Sequence, residues 1–309
     1  MIELKNVSKK FGNHTAVNDV SFKIEKGEVV GFLGQNGAGK TTIMKLITGI
    51  LAPNEGEIII NDEKISNKSK KLIGYMPENI PLYDTLTVKE FITFMAELKE
   101  IKRAERKIEV DKIISDLNLK SVENILIKNI SRGFKQRVSL AGALIGNPEI
   151  ILLDEPTVGL DPKQIIEIRN LIKSLKGKHT VLLSSHILSE VNQICEKVII
   201  INNGKIVAVD TPSNLENKMS NNIITIIVED PQNKMNDACK KIKEIIDIKL
   251  LNSDKKEQKY ELSVKDDTDV RKELFKELPK YDITINELSK TESTLEDVFM
   301  SFIKEEGEA

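Results

Sequence analysis

The sequence predicts an α/β domain built on a mixed, mostly parallel sheet, followed by a small α+β domain. Three observations predict it. Apolar strands alternate with amphipathic helices through the first two thirds of the chain. Alternation of this kind builds a parallel sheet covered by helices. A glycine-rich loop, Gly34-Gln35-Asn36-Gly37-Ala38-Gly39-Lys40-Thr41, joins one such strand to one such helix. Beyond a polar stretch ending at Asn222, the order becomes strand, helix, strand, strand, helix, strand, which is the ferredoxin-like split unit.

Ile2, Leu4 and Val7 open a first strand, and Val20, Phe22 and Ile24 mark a second. Lys26-Gly27 turns into Glu28–Leu33, the strand before the glycine-rich loop. Thr42–Ile47 carries its apolar residues on one helical face, with Gly49 as the stop. Glu57–Ile60 is a strand, and Ile73–Met76 is a short one stopped by Pro77. From Val88 to about Leu119 the pattern is helical and charged. Then follow strand Ile150–Leu153, helix Lys163–Lys176, strand Thr180–Ser184, helix Ile187–Cys195 and strand Lys197–Ile201. Asn203-Gly204 makes a hairpin turn to Lys205–Val209. These boundaries predict a first domain at 1–214, with a helical subdomain at 86–147, a polar linker at 215–222 and a second domain at 223–309.

In the second domain the expected strands are Ile223–Val228, Ile248–Leu251, the alternating Tyr260, Leu262 and Val264, and Ile283 with Ile285. Met235–Ile246 and the Val270, Leu274, Leu278 series are the expected helices. Leu295, Val298, Phe299, Phe302 and Ile303 fall on one face of a last helix, with Ser293 and Glu296 as its capping box.

Composition narrows the function. The 309 residues suffice for about two domains. Lys+Arg 46 against Asp+Glu 48 leaves a net charge of −2, which argues against a dominant nucleic-acid partner. Cys195 and Cys239 stand in no metal spacing and read as reduced, packed thiols of a cytosolic protein. The N-terminus carries no apolar signal segment. No run reaches the roughly 18 apolar residues of a membrane span. The chain is expected to be soluble, or to meet a membrane only through a partner.

The chemistry begins at the GxxxxGK[ST] pattern of Gly34–Thr41. Strand, loop and helix are the context in which successive amides curl around phosphate oxygens at a helix N-terminus. Lys40 is expected to reach the β- and γ-phosphates, and the Thr41 hydroxyl to bind Mg²⁺. Ile150–Leu153 runs into Asp154-Glu155, two acids at a strand's C-terminal end, where α/β sheets bind ligands. Asp154 would hold Mg²⁺, and Glu155 would orient and deprotonate an attacking water. Taken alone, this pair is equally a solvated turn before Pro156. Ser131 caps a helix over Val138–Ile145 whose N-terminus, with Gly133, is a second anion site. By itself it is only a capped helix. His186 follows the strand Thr180–Ser184; a lone histidine there is more often structural.

The joint order of phosphate loop, Ser-x-Gly helix start, Asp-Glu strand, Leu160-Asp161 and His186 resembles the ATP-binding subunits of ABC transporters, over residues 2 to about 215. The resemblance implies a P-loop NTPase of ABC type, with ATP and Mg²⁺ as cofactors. It implies an aromatic stack on adenine from Phe11, with Val17 beside it, and phosphate contacts from Asn36, Gly37, Ala38, Gly39, Lys40, Thr41 and Thr42. Ile130-Ser131-Arg132-Gly133-Phe134 resembles the LSGGQ signature, through which Ser131 and Gly133 bind the γ-phosphate held by the opposite subunit. Val158-Gly159-Leu160-Asp161 resembles the D-loop, and His186 the switch histidine. Lys40, Glu155 and His186 are thereby the catalytic set; Thr41, Asp154 and Glu78 the metal set.

Two motifs depart from the family pattern. Glu78 replaces the usual glutamine, and Arg132 and Phe134 stand where Gly and Gln are usual. Both departures, and the ending Thr294–Phe299, resemble the branch of drug, antibiotic, lipid, polysaccharide and ion exporters with separate membrane subunits. The resemblance implies a homodimer or paired ATPase subunits, integral membrane permease partners, no nucleic acid, and a cytoplasmic position on the inner face of the membrane. A soluble ABC-type ATPase acting on nucleic acid usually carries two ATPase units, coiled coils or zinc modules, none of which this sequence has. A non-hydrolysing regulator is argued against by Glu155, and a simple kinase by Ser131–Gly133 with His186. The second domain reads as a packing or dimer-stabilising module in preference to a ligand sensor.

Overall fold

A computed structural model describes residues 1–220, 223–230, 232–254, 257–265, 268–290 and Phe299. The chain divides into two compact units, Met1–Thr211 and Pro212–Ala309.

The first unit opens with β1 (Ile2–Phe11) and β2 (His14–Ile24), then β3 (Val29–Leu33), the phosphate loop and α1 (Lys40–Ile47). Next come β4 (Glu55–Ile60), β5 (Glu63–Lys64), α2 (Asn67–Lys70) and β6 (Ile73–Met76). Three helices follow, α3 (Val88–Leu98), α4 (Arg103–Asp116) and α5 (Arg132–Leu144). The unit closes with β7 (Ile150–Asp154), α6 (Pro162–Ser174), β8 (Thr180–Ser185), α7 (Leu188–Ile194), β9 (Lys197–Asn202) and β10 (Lys205–Asp210).

Two sheets result. The order β2-β1-β4-β5 is antiparallel throughout. The order β10-β9-β3-β8-β7-β6 is parallel except at β10, which returns on β9. That return uses Asn203 at φ 45° and Gly204 at φ 77°, the pair of positive values a two-residue hairpin requires. The two anticipated sheet directions are therefore present. The sequence had not signalled that β1, β2 and β4 form a sheet of their own. Alternation explains it: Ile2, Leu4, Val20, Phe22 and Ile24 are buried while Glu3, Ser21 and Lys23 are not. Such strands keep one wet face. By contrast β3, β7 and β8 are buried at every residue, as parallel strands covered on both faces must be.

One apolar core joins the inner face of the antiparallel sheet, the helix residues Ile43, Met44, Leu46 and Ile47, and Phe32, Leu152, Leu182 and Ile199 of the central sheet. α7 covers the opposite face so closely that a Cβ at Gly31 would collide with Val191. This packing fixes where the C-terminal ends of β3, β7 and β8 lie. Leu33 pairs with Ser185, and Asp154 with Ser184, so three loops leave the sheet side by side.

The second unit holds α8 (Pro212–Ser220), β11 (Ile223–Glu229), α9 (Met235–Cys239), β12 (Ile245–Ser253), β13 (Gln258–Val264), α10 (Arg271–Glu277) and β14 (Thr284–Lys290). Its antiparallel sheet has the order β12-β13-β11-β14. Ile224, Ile226, Leu262 and Val264 pack there with Met235, Ala238, Leu274 and Leu278. Two expectations are corrected, and a third falls outside the described residues. The polar linker expected at 215–222 is helical through Ser220, because Pro212 starts α8 where its missing N–H is no loss. The helix expected over Met235–Ile246 ends at Cys239, and β12 begins at Ile245, whose partner is Val264. The capped last helix expected around Leu295–Ile303 lies outside the described residues, apart from Phe299.

Cys195 and Cys239 are free and buried. Burial pushes the Cys239 thiol up to about 12 and the Cys195 thiol higher still.

Each unit has its own core, so each is expected to fold by itself. A chain ending at Thr211 should unfold in one cooperative transition and retain nucleotide affinity. Aggregation, or loss of binding measured by calorimetry, would show that the first unit depends on the second.

Candidate active site

The phosphate loop closes at Gly39, whose φ of 107° is open to glycine and whose missing Cβ leaves room for the Ala16 carbonyl oxygen, 2.5 Å from where that atom would lie. Lys40, the first residue of α1, is 6% exposed. Its ammonium donates to the carbonyl of Gly34 at 2.7 Å and of Gln35 at 3.2 Å. It also lies 3.4 Å from Glu155 Oε1. That contact is a charge pair without hydrogen-bond geometry, since Glu155 Oε1 has no hydrogen-bond partner.

Glu155 follows β7 with φ of 50°, a region that disfavours side chains with a Cβ. Its other oxygen, Oε2, meets His186 Nδ1 at 2.8 Å. Ser184 serves both acids: its hydroxyl donates to Asp154 Oδ1 at 2.6 Å and accepts from the Glu155 amide at 2.9 Å. Burial, reinforced by the Asp154 carboxylate, pushes the Tyr75 hydroxyl well above its ordinary pKa. By geometry the Tyr75 hydroxyl and Asp154 Oδ2 are each without a hydrogen-bond partner.

A cavity of about 450 Å³ lies over these groups. It is lined by Phe11, Asn36, Gly37, Gly39, Lys40, Thr41, Thr42, Glu78 and Glu155 among the residues singled out from the sequence, and also by His14, Ala16 and Gln35. Phe11 is 47% exposed and carries Lys9 Nζ at 5.4 Å from its ring centre. Its ring lines the cavity. Val17 does not join it. It sits on the inner face of β2, fully buried in the core, whereas Ala16 and His14 line the cavity. Ala38 is buried at the loop, and Asp154 is buried beneath the cavity.

Ser131, Gly133 and Asp161 stand outside this cavity. Ser131 caps α5 by accepting from Phe134 N at 3.4 Å. Gly133 packs against Gln164, whose amide lies 2.5 to 2.6 Å from where a Cβ would be. Asp161 caps α6 by accepting from Gln164 N at 2.9 Å. Arg132 lies over Gly159 so closely that no Cβ would fit there.

The residues present suit a hard divalent cation. Asp154 Oδ2 and Glu155 Oε1 are buried oxygens without hydrogen bonds, and Thr41 and Glu78 line the adjoining wall. Oxygen donors of this kind match Mg²⁺. Among the described residues no group of three or more His, Cys, Asp or Glu forms a complete metal cage. A few carboxylates plus substrate phosphates is the usual Mg²⁺ arrangement.

Sequence reasoning missed Ser184, which bonds both acids, and two buried hydrogen bonds on the turn that carries Glu155, Gln136 Nε2 to the Pro156 carbonyl and the Thr157 hydroxyl to Glu190. Ser184 was open to notice as a hydroxyl at the end of an apolar run; Gln136, Thr157 and Glu190 sit in no motif that names them.

A glycine-rich loop at a helix N-terminus, facing paired acids at the ends of parallel strands, defines a P-loop nucleotide hydrolase. Comparison narrows the class. The family described as ABC transporter matches residues 17–158, and the family described as ATP-binding protein DrrA1-3-like, C-terminal domain matches residues 211–303. The linearmycin resistance ATP-binding protein LnrL of Bacillus subtilis is 30% identical over 306 residues, covering 97% of each chain. The lipopolysaccharide export system ATP-binding protein LptB of Haemophilus influenzae is 34% identical and aligns over 70% of this chain and 93% of its own. The dimeric post-hydrolysis structure of an ATP-binding cassette bound to ADP and Pi superimposes with a TM-score of 0.62 at 29% identity, covering 68% of this chain and 98% of that one. The chain belongs to the ATP-binding proteins of ABC transporters, and it is an ATPase subunit of that family. Among the described residues no helix is long and apolar enough to cross a membrane.

Gly39 gives the site its most direct structural test. Gly39→Ala places a Cβ against the Ala16 carbonyl in a backbone conformation that resists it. Nucleotide affinity measured by calorimetry should fall at least tenfold. Parental affinity would mean that the loop does not hold this conformation when it binds.

Proposed function

We infer that two copies of this chain, or this chain and a paired ATPase subunit, bind two ATP–Mg²⁺ between them and drive export through separate membrane permease subunits. The observation that carries the reading is the Lys40–Glu155–His186 cluster at 3.4 and 2.8 Å beneath the phosphate-loop cavity. The names of relatives support export: they include lipopolysaccharide export, lantibiotic transport and linearmycin resistance proteins.

Each residue has a role that its surroundings suit. Phe11 offers adenine a stacking face at the cavity mouth. Loop amides from Asn36 to Thr42 and the start of α1 receive the phosphates. Lys40 exchanges its loop carbonyls for phosphate oxygens. Thr41, Asp154 and Glu78 would hold Mg²⁺, which would supply positive charge against the phosphates. Glu155 takes a proton from the attacking water, and His186, hydrogen-bonded to Glu155, steadies the carboxylate and meets the departing phosphate. Ser131 and Gly133, which lie outside this cavity, complete the site of the opposing copy, with Asp161 at the junction.

Glu78 links the cavity to a surface for the permease. Its chain neighbour Pro77 lines an aromatic groove with Phe91, Phe94, Tyr83 and Leu98, the last two 53% and 61% exposed. An exposed apolar groove suits an apolar segment of a membrane subunit. For the second unit we favour a ferredoxin-like packing module. Its element order and its sheet order β12-β13-β11-β14 support this reading.

The general base acts only as water is attacked, so its loss should spare binding. Glu155→Gln should keep its ATP dissociation constant within about threefold and lose at least roughly a hundredfold in kcat. Steady-state phosphate release by the purified chain reads this out. Undiminished turnover would remove Glu155 from the role.

A further inference from the structure

The turn that carries Glu155 is held by three side chains from three different elements. Glu155 itself stands at φ 50°, where only outside support keeps a side-chain-bearing residue in place. The backbone supplies little: Val158 N reaches the Glu155 carbonyl at 3.3 Å. The rest comes from side chains. The Glu155 amide donates to Ser184 Oγ of β8 at 2.9 Å. The next carbonyl, of Pro156, accepts from Gln136 Nε2 of α5 at 2.6 Å. The next hydroxyl, of Thr157, donates to Glu190 Oε2 of α7 at 2.5 Å. The holders are buried, Ser184 at 0% exposure and Gln136 and Glu190 at 4% each.

Their positions along the chain give these bonds meaning. Gln136 lies three residues beyond Gly133, on the helix that Ser131 caps. Glu190 lies in the first turn of α7, four residues beyond His186. The consecutive residues 155, 156 and 157 are thus tied in turn to β8, to the helix behind Ser131 and to the helix behind His186. Close packing and buried hydrogen bonds transmit displacement without slack.

We propose that Gln136, Thr157 and Glu190 are positioning residues for the Glu155 carboxylate. The Gln136–Pro156 bond carries the placement of α5 to the turn, and the Thr157–Glu190 bond carries the placement of α7. The proposal rests on Glu155 being the general base. A base must come within about 2.6–3.2 Å of the proton it takes. Released from either holder, the turn relaxes toward ordinary backbone angles and swings the carboxylate off the cavity and off His186. A shift of about 1 Å at such a group is enough to cost up to a hundredfold in rate.

The test uses the full chain with Gln136→Met, which keeps length and loses the donor, and Thr157→Val, which keeps shape and loses the hydroxyl. Thr157→Ser is the conservative rescue. Expected are losses in kcat of roughly ten- to a hundredfold with the ATP dissociation constant within about twofold, and near-parental kcat for Thr157→Ser. In a Glu155→Gln background, Thr157→Val should leave the residual rate within about twofold, since no carboxylate base remains to be misplaced. An independent signal needs no turnover. The chain has three histidines, so imidazole nitrogen spectra of the nucleotide-free protein are simple to assign. His186 should shift in Gln136→Met and Thr157→Val, while His179, bonded to the Pro148 carbonyl, should not. Should Gln136→Met fail to fold, the Thr157 pair decides. His186 unmoved in folded Thr157→Val overturns the proposal, and so does parental kcat there, or an equal loss in the Glu155→Gln background. A parent chain that does not hydrolyse ATP contradicts the ATPase reading instead, and the His186 spectra still decide the positioning.

Discussion

A buried ammonium and a buried carboxylate, Lys40 and Glu155, face each other at 3.4 Å, each only 6% exposed, and the remainder of the site depends on that contact. A lone charge at such depth costs several kcal/mol. The two loops that supply these charges, after β3 and after β7, are therefore locked to one another. Neither could drift without stranding a charge. His186 binds the free carboxylate oxygen and adds the loop after β8. The register of three adjacent parallel strands is what makes the contact available, because Leu33, Asp154 and Ser185 end within one residue of the same level.

The same contact sets the order of events. Lys40 is held by carbonyls of its own loop and by Glu155, all acceptors that phosphate oxygens can replace. On the proposed reading, phosphate oxygens draw the ammonium away and leave the Glu155 carboxylate to face the attacking water. The geometry around Glu155 has to survive that exchange, which is why its turn is tied to β8, α5 and α7.

Much of this was legible in the sequence, for stated physical reasons. Gly34–Thr41 is legible because phosphate contact demands glycines and a lysine at fixed spacing. Asp154 and Glu155 are legible because two acids end an apolar strand. The central strands β7, β8 and β9 are legible because full burial writes continuous apolar runs. What was illegible depends on partners distant in sequence. Glu190 is an ordinary acid on a helix until it meets Thr157 33 positions away. Gln136 is an ordinary helix residue until it meets Pro156. Val17 lies in the core while its neighbour Ala16 lines the cavity, because adjacent residues of a β-strand face opposite sides. The segment from Pro212 looked like linker because polar composition hides a helix that proline can start.

The central claim is that each site is shared, with a phosphate loop from one copy and the Ser131 helix start from the other. Mixing two defective chains tests it. Lys40→Ala removes the loop's ammonium. Ser131→Asp keeps a capping side chain and sets a negative charge against the terminal phosphate. Each variant alone should be nearly inactive. In a mixed pair both defects fall on one site, and the other site is intact, so ATPase activity should partly return if one site suffices for turnover. The control mixes the doubly substituted chain with the parent, which puts one defect on each site and should give no mixed-pair activity after subtraction of parent pairs. Greater activity in the first mixture is the predicted result. Equal activity in the two mixtures would contradict the shared site.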